Sequence, residues 1–105
     1  VAGREVTTIR QVQAAVAARY GISVAEMIGV CRLRHIYIPR AVAIKAARVL
    51  TAASTTQLGT AFGGRDHTTI MWSIRRELPE DDSAILDSVC QQFVELPQFR
   101  SVRTQ

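Results

Sequence analysis

Ser54-Thr55-Thr56-Gln57-Leu58-Gly59-Thr60-Ala61-Phe62-Gly63-Gly64-Arg65-Asp66-His67-Thr68-Thr69-Ile70-Met71-Trp72-Ser73-Ile74 is the stretch on which the architecture rests. Ser54 followed by Gln57 has the spacing of a capping box, in which the hydroxyl accepts from a free N–H and the amide side chain reaches back. A very short helix carrying Leu58, Ala61 and Phe62 should follow. Gly63-Gly64 breaks it, because glycine reaches positive φ without steric cost. A second helix is expected to begin near Asp66, with Ile70, Ile74 and Leu78 at successive i+4 positions. Short helix, glycine turn and second helix, over about residues 54–78, are the layout of a helix-turn-helix. On that pattern alone the signal is weak, since many helical domains contain a Gly-Gly corner.

On either side of this stretch the apolar spacing is helical, and strand signals are nearly absent. Ile9, Val12, Val16 and Tyr20 share one face of a first helix that Gly21 stops. Ser23 to Glu26 is another capping-box spacing, opening a short helix that ends near Ile28-Gly29. Residues 29–38 hold Arg32, Arg34, His35 and Tyr37 without clear periodicity and are expected to form a basic loop. Pro39 is then placed as the first residue of a helix, where a missing N–H does no harm. Val42, Ala46, Val49 and Leu50 predict a narrow buried stripe for it, with Arg40, Lys45 and Arg48 on its more polar surface. Pro79 should end the helix that starts near Asp66. A last, acidic helix from about 82 to 95 is expected to bury Ile85, Leu86, Val89 and Phe93. The expectation is one all-α, compact multi-helix domain over 1–105 with an embedded helix-turn-helix.

The net charge of +4 conceals an asymmetry. Residues 1–76 carry 11 Lys/Arg against Glu5, Glu26 and Asp66, a balance of +8, whereas residues 77–105 carry Arg100 and Arg103 against six acids, a balance of −4. Basic charge by itself usually marks a solvated face. Ten of those 11 cations are arginines, however, and the planar guanidinium fork suits phosphate and guanine. No apolar run approaches the roughly 20 residues of a membrane span, and no signal-peptide pattern opens the chain. The first residue is Val rather than Met, which fits a processed or excised chain. Cys31 and Cys90 have no further cysteine at metal-ligand spacing and are read as reduced thiols.

Chemistry strengthens the helix-turn-helix reading. Arg65, Asp66, His67, Thr68 and Thr69 are consecutive polar residues at the start of the second helix. Arginine can fork onto guanine, aspartate can accept from the cytosine amino group, and threonine offers a hydroxyl and a methyl. A recognition helix that enters the major groove by its N-terminus needs such a set there. Simpler readings stand beside this one: Asp66 is equally suited to be an N-cap, and a lone His67 is more often an ordinary histidine. Trp72 and Ile74 read as packing residues. No paired carboxylates, nucleophile set or ligand cluster suggests an enzyme, a metal or a cofactor.

Ala61-Phe62-Gly63-Gly64-Arg65-Asp66-His67-Thr68-Thr69-Ile70 resembles the signature of the C-terminal DNA-binding domain of DnaA, the bacterial chromosomal replication initiator, and the similarity runs from about Ile9 to Arg76. The resemblance implies a Trp-repressor-like all-α fold and sequence-specific binding of double-stranded DNA at DnaA-box-like sites of replication origins. Carried over by position, Arg65, Asp66, His67, Thr68 and Thr69 face the major groove, Arg32 enters the minor groove, and Arg40 and Arg48 contact phosphate. A cytoplasmic, nucleoid-associated protein with replication or regulatory partners is implied, with no membrane. The chain departs from the pattern at Ile38, Ala41 and Trp72, where arginine, a polar residue and histidine are usual; weaker binding with a flatter salt dependence is expected. No GxxxxGK[ST] phosphate loop occurs in these residues, so no bound nucleotide and no hydrolysis are expected. The chain then reads as an excised domain or a freestanding relative, and the departures favour the latter. A transcription regulator with the same motif, or a protein-interaction module using the acidic C-terminal helix, are the competing readings.

Overall fold

The computed structural model describes residues 8–30 and 33–94. Among these, six helices occur and no strand: α1 (Ile9–Tyr20), α2 (Val24–Ile28), α3 (Arg34–Leu50), α4 (Thr55–Ala61), α5 (His67–Arg75) and α6 (Glu80–Val94). Three of them open with a reciprocal capping box, Thr8 with Gln11, Ser23 with Glu26 and Ser54 with Gln57. In each, the hydroxyl accepts an orphan N–H of the first turn while the Glu or Gln side chain accepts the N–H of the capping residue. Gly21, at φ 68°, closes α1. The expected all-α architecture is therefore present.

α3 is the hub, packing on each of the other five helices. Ile38 through Ile44 form an unbroken buried run, and Ile36, Ala46 and Ala47 are buried too, as is typical of a helix enclosed on all sides. Alanines at 41, 43, 46 and 47 let neighbouring backbones approach it closely. Val12 and Val16 of α1, Met27 of α2, Leu58 of α4, Ile70 of α5 and Val89 of α6 complete the core around it. Phe62, at the exit of α4, is fully buried, and burying a side chain of this size contributes about 1.5–3 kcal/mol.

Three sequence expectations change here. The segment read as a basic loop is helical from Arg34 onward, and Pro39 lies inside α3 rather than at its first position. Proline at the sixth residue forgoes only the bond to the His35 carbonyl, at an exposed turn, while burial of Ile36 and Ile38 holds the backbone helical. The narrow stripe is likewise corrected: Val49 is 72% exposed, and Arg40, expected on the polar surface, is buried. Finally, Pro79 opens α6 instead of ending α5, its carbonyl accepting the Ser83 N–H at 2.9 Å.

Candidate nucleic-acid interface

α4 and α5 are joined by a turn whose geometry requires its glycines. Gly63 has φ 87° and Gly64 φ 75°. A Cβ on Gly63 would collide with the backbone carbonyl oxygen of Ile28, so the turn is pressed against the end of α2. Gly59, inside α4, is in the same situation against the backbone of Arg65, whose N–H donates to the Gly59 carbonyl at 2.9 Å. The start of α5 is thus fixed from two sides.

Asp66 is the N-cap of α5, its Oδ1 accepting the Thr69 N–H at 2.9 Å. Hydrogen bonds to the backbone, chiefly at Thr69, hold its carboxyl below the usual aspartate value. His67, Thr68 and Thr69 follow on the first turn of α5, and all four residues from Asp66 to Thr69 are exposed. Inward, the same helix presents buried Ile70 and half-buried Ile74. Seated so, α5 is a rigid rod with a polar leading end that nothing in the described structure covers.

Arg65 stands apart from the other four. Its guanidinium turns inward, donating from Nη1 to the carbonyls of Ile28 (2.9 Å) and Phe62, and from Nη2 to Gly29 (2.5 Å). Burial lowers its pKa from the usual arginine value. Arg40 reaches the same place from α3, with Nε on Met27 O at 2.7 Å and Nη2 on Gly29 O at 3.0 Å. α2 ends with carbonyls that no further helical turn can satisfy, and two guanidiniums fill that need with charge of the favourable sign. Other helix ends are received similarly: Gln13 donates to Ala61 O at 3.0 Å and Lys45 to Ile74 O at 2.5 Å.

Of the remaining expected contacts, Arg48 lies exposed on the last turn of α3, with Nη1 on Ala53 O at 3.2 Å. Arg32 lies outside the described residues. Ile38 and Ala41, the two apolar departures on α3, are buried at 5% and 3% exposure, so both are part of the core. Trp72, expected to pack, is 73% exposed. It lines a groove of about 400 Å³ between α3 and α5 together with Tyr37, Thr69, Arg75 and Arg76. Sequence reasoning passed over Tyr37 and Arg76, whose guanidinium stacks on the Tyr37 ring at 4.6 Å. The signal available was the i+7 spacing of Thr69 and Arg76 through Trp72 along one helical face.

A family model described as the bacterial dnaA protein helix-turn-helix matches residues 9–76. The chain belongs to the DnaA helix-turn-helix family. It is 46% identical over 84 residues to a chromosomal replication initiator protein DnaA of Cereibacter sphaeroides, covering 78% of this chain and 18% of that protein. The DnaA of a Ruegeria species is 40% identical over the same proportions, and that of Rickettsia akari 35% over 86 residues, 80% of this chain and 19% of the relative. The chain spans less than a fifth of the length of these DnaA proteins. The span matched by the family model, 9–76, contains α1 to α5, and the matches to the DnaA relatives are longer, at 84 to 86 residues.

Proposed function

We propose that this chain binds duplex DNA sequence-specifically at DnaA-box-like sites, in replication initiation or its regulation, and acts by binding rather than catalysis. The observation that carries the reading is the exposed end of α5, where Asp66, His67, Thr68 and Thr69 stand uncovered on a helix fixed by its glycine turn. Such an end fits the major groove, where aspartate and threonine have defined partners on cytosine and thymine. Arg48 supplies a phosphate contact. By the family resemblance, Arg32 enters the adjacent minor groove, where a narrow A·T-rich stretch favours a cation. Arg65 and Arg40 take a different part: bound to the carbonyls at the end of α2, they fix where the recognition helix begins.

Binding of the chain to a DnaA-box duplex and to a scrambled duplex at matched salt tests this. The box is expected to bind at least tenfold more tightly, consistent with a few good base contacts at roughly 1–3 kcal/mol each. Trp72 is the single tryptophan, and its emission should change as the groove wall approaches. Asp66→Asn, which retains an N-cap, should lower the ratio between the two duplexes. Arg48→Ala should weaken both alike and flatten the salt dependence by about one unit. Equal affinity of the unmodified chain for box and scrambled DNA would sink the proposal.

A further inference from the structure

Three donors converge outside the expected contact set. Arg34 is the first residue of α3 and Arg76 directly follows α5; both side chains are exposed. Each donates to the hydroxyl oxygen of Tyr37, Arg76 from Nη2 at 3.2 Å and Arg34 from Nη1 at 3.5 Å. Arg76 also lies over the Tyr37 ring. Neither arginine has a carboxylate partner among the described residues. Two like charges drawn to one neutral oxygen repel each other, and an anion placed between them would relieve that repulsion.

The hydroxyl geometry points the same way. A phenol oxygen has two lone pairs and one proton. With both lone pairs facing guanidiniums, the remaining O–H is available to donate to a third group. The arginine contacts are long for hydrogen bonds, so little is lost when they are remade around an incoming oxygen. Stacking on the ring holds Arg76 in place without consuming its donors. Tyr37 and Arg76 line the same groove as Thr69 and Trp72, so an anion held here lies along that groove, at the end of α5 opposite its polar first turn.

We propose that Arg34, Tyr37 and Arg76 form a phosphate clamp that takes one phosphodiester of the duplex beside the recognition helix. This rests on the duplex-binding reading above and adds a site to it. A phosphate contact of this kind positions the protein and supplies affinity without reading sequence. Trp72, exposed at 73% next to it, offers an apolar surface to the deoxyribose of the same nucleotide.

The test compares the full chain with Arg34→Gln/Arg76→Gln and with Tyr37→Phe, using box and scrambled duplexes over a range of salt. All three residues are at the surface or half-buried, and melting curves establish that each variant is folded. The double variant should bind both duplexes on the order of tenfold more weakly, as loss of a charge-assisted contact does. Its log K against log salt should be shallower by about 0.9, the signature of one phosphate. Tyr37→Phe should show a smaller loss of the same kind. In a series of duplexes with one neutral methylphosphonate each, a single position should weaken the full chain and leave the double variant unaffected. An unchanged salt slope, or a loss confined to the box duplex, overturns the clamp. Inorganic phosphate that, at constant ionic strength, displaces the duplex from the unmodified chain but not from the double variant supports the clamp, since the two can compete only if a backbone phosphate occupies the same site. Equal binding of the two duplexes by the unmodified chain, with the slope still falling in the double variant, retains the clamp and removes only box recognition. A chain that binds no duplex removes both.

Discussion

Arg40 and Arg65 on one side, and Arg34 and Arg76 on the other, are the same residue type used in opposite ways. The first pair reaches inward and meets the carbonyls of Met27, Ile28 and Gly29. The second pair is exposed and meets one tyrosine hydroxyl. What separates them is the supply of acceptors. α2 is five residues long, too short to satisfy its own terminal carbonyls, and it ends on buried Met27 and half-buried Ile28 and Gly29, where protein donors take over that task. The outer pair has no such acceptors and retains its hydrogen-bonding capacity for a partner. A basic surface is thus partly scaffold, and a count of arginines overstates the charge that points to solvent.

The largest effect should come from breaking the inner side at its tightest point. In Gly63→Ala a β-carbon must be accommodated at φ 87°, against the Ile28 carbonyl and the Arg65 guanidinium. The left-handed backbone alone costs an L-residue roughly 1–2 kcal/mol, and displacement of the turn adds to it. Thermal unfolding should show a midpoint lowered by more than about 10 °C, corresponding to 2 kcal/mol or more for a domain of this size. A change of a degree or two would mean that α2 and the turn are not pressed together as described.

A paired substitution measures the contrast itself. Arg65→Gln strips the Ile28 and Gly29 carbonyls of a charged donor, a loss of about 1.5–3 kcal/mol of stability. Arg76→Gln removes only exposed contacts and should leave stability within about 0.5 kcal/mol. In DNA binding the weight shifts: Arg76→Gln should flatten the salt dependence while the fold stays as stable as before. Matching destabilisation by the two substitutions would erase the distinction.

That distinction was not legible in the sequence, although much else was. The capping boxes at Ser23 and Ser54, the stop at Gly21 and the Gly63-Gly64 turn depend on residues within a few positions of one another, and the structure has them where local chemistry puts them. Asp66 emerged as the cap of α5 by the same logic. Errors arose where distant chain segments decide the outcome. Pro39 looks like a helix start because its cost is local, while the compensation, burial of Ile36 and Ile38 under neighbouring helices, is not. Arg40, expected on a polar, phosphate-contacting surface, and Arg65, expected at the head of the recognition helix, turn inward because the carbonyls they serve lie 11 and 36 positions earlier at Gly29. Trp72 is the reverse case: a residue type usually buried, placed outward because Ile70 and Ile74 already fill the inner face of α5.

The smallest effect concerns Asp66, immediately beside the inward Arg65 yet facing out. Its carboxyl titrates below the ordinary 3.8 because backbone N–H groups at the start of α5 bond the charged form. A pKa lowered by folding means that the native state holds fewer protons than the unfolded chain between the two values. The resulting stabilisation is therefore complete above the unfolded value and is lost as pH falls through the folded one. Asp66→Asn keeps a capping oxygen and removes the titration. The margin in unfolding midpoint between the unmodified chain and Asp66→Asn should be steady from pH 7 to about 5, then shrink toward zero as the acid range is entered. Glu26 titrates in both proteins, its carboxyl also held low by Ser23, and so cancels from the difference. A margin that stays constant down to pH 2.5 would show that the cap acts through its shape alone, and that the exposed end of α5 carries no charge-dependent part of the fold.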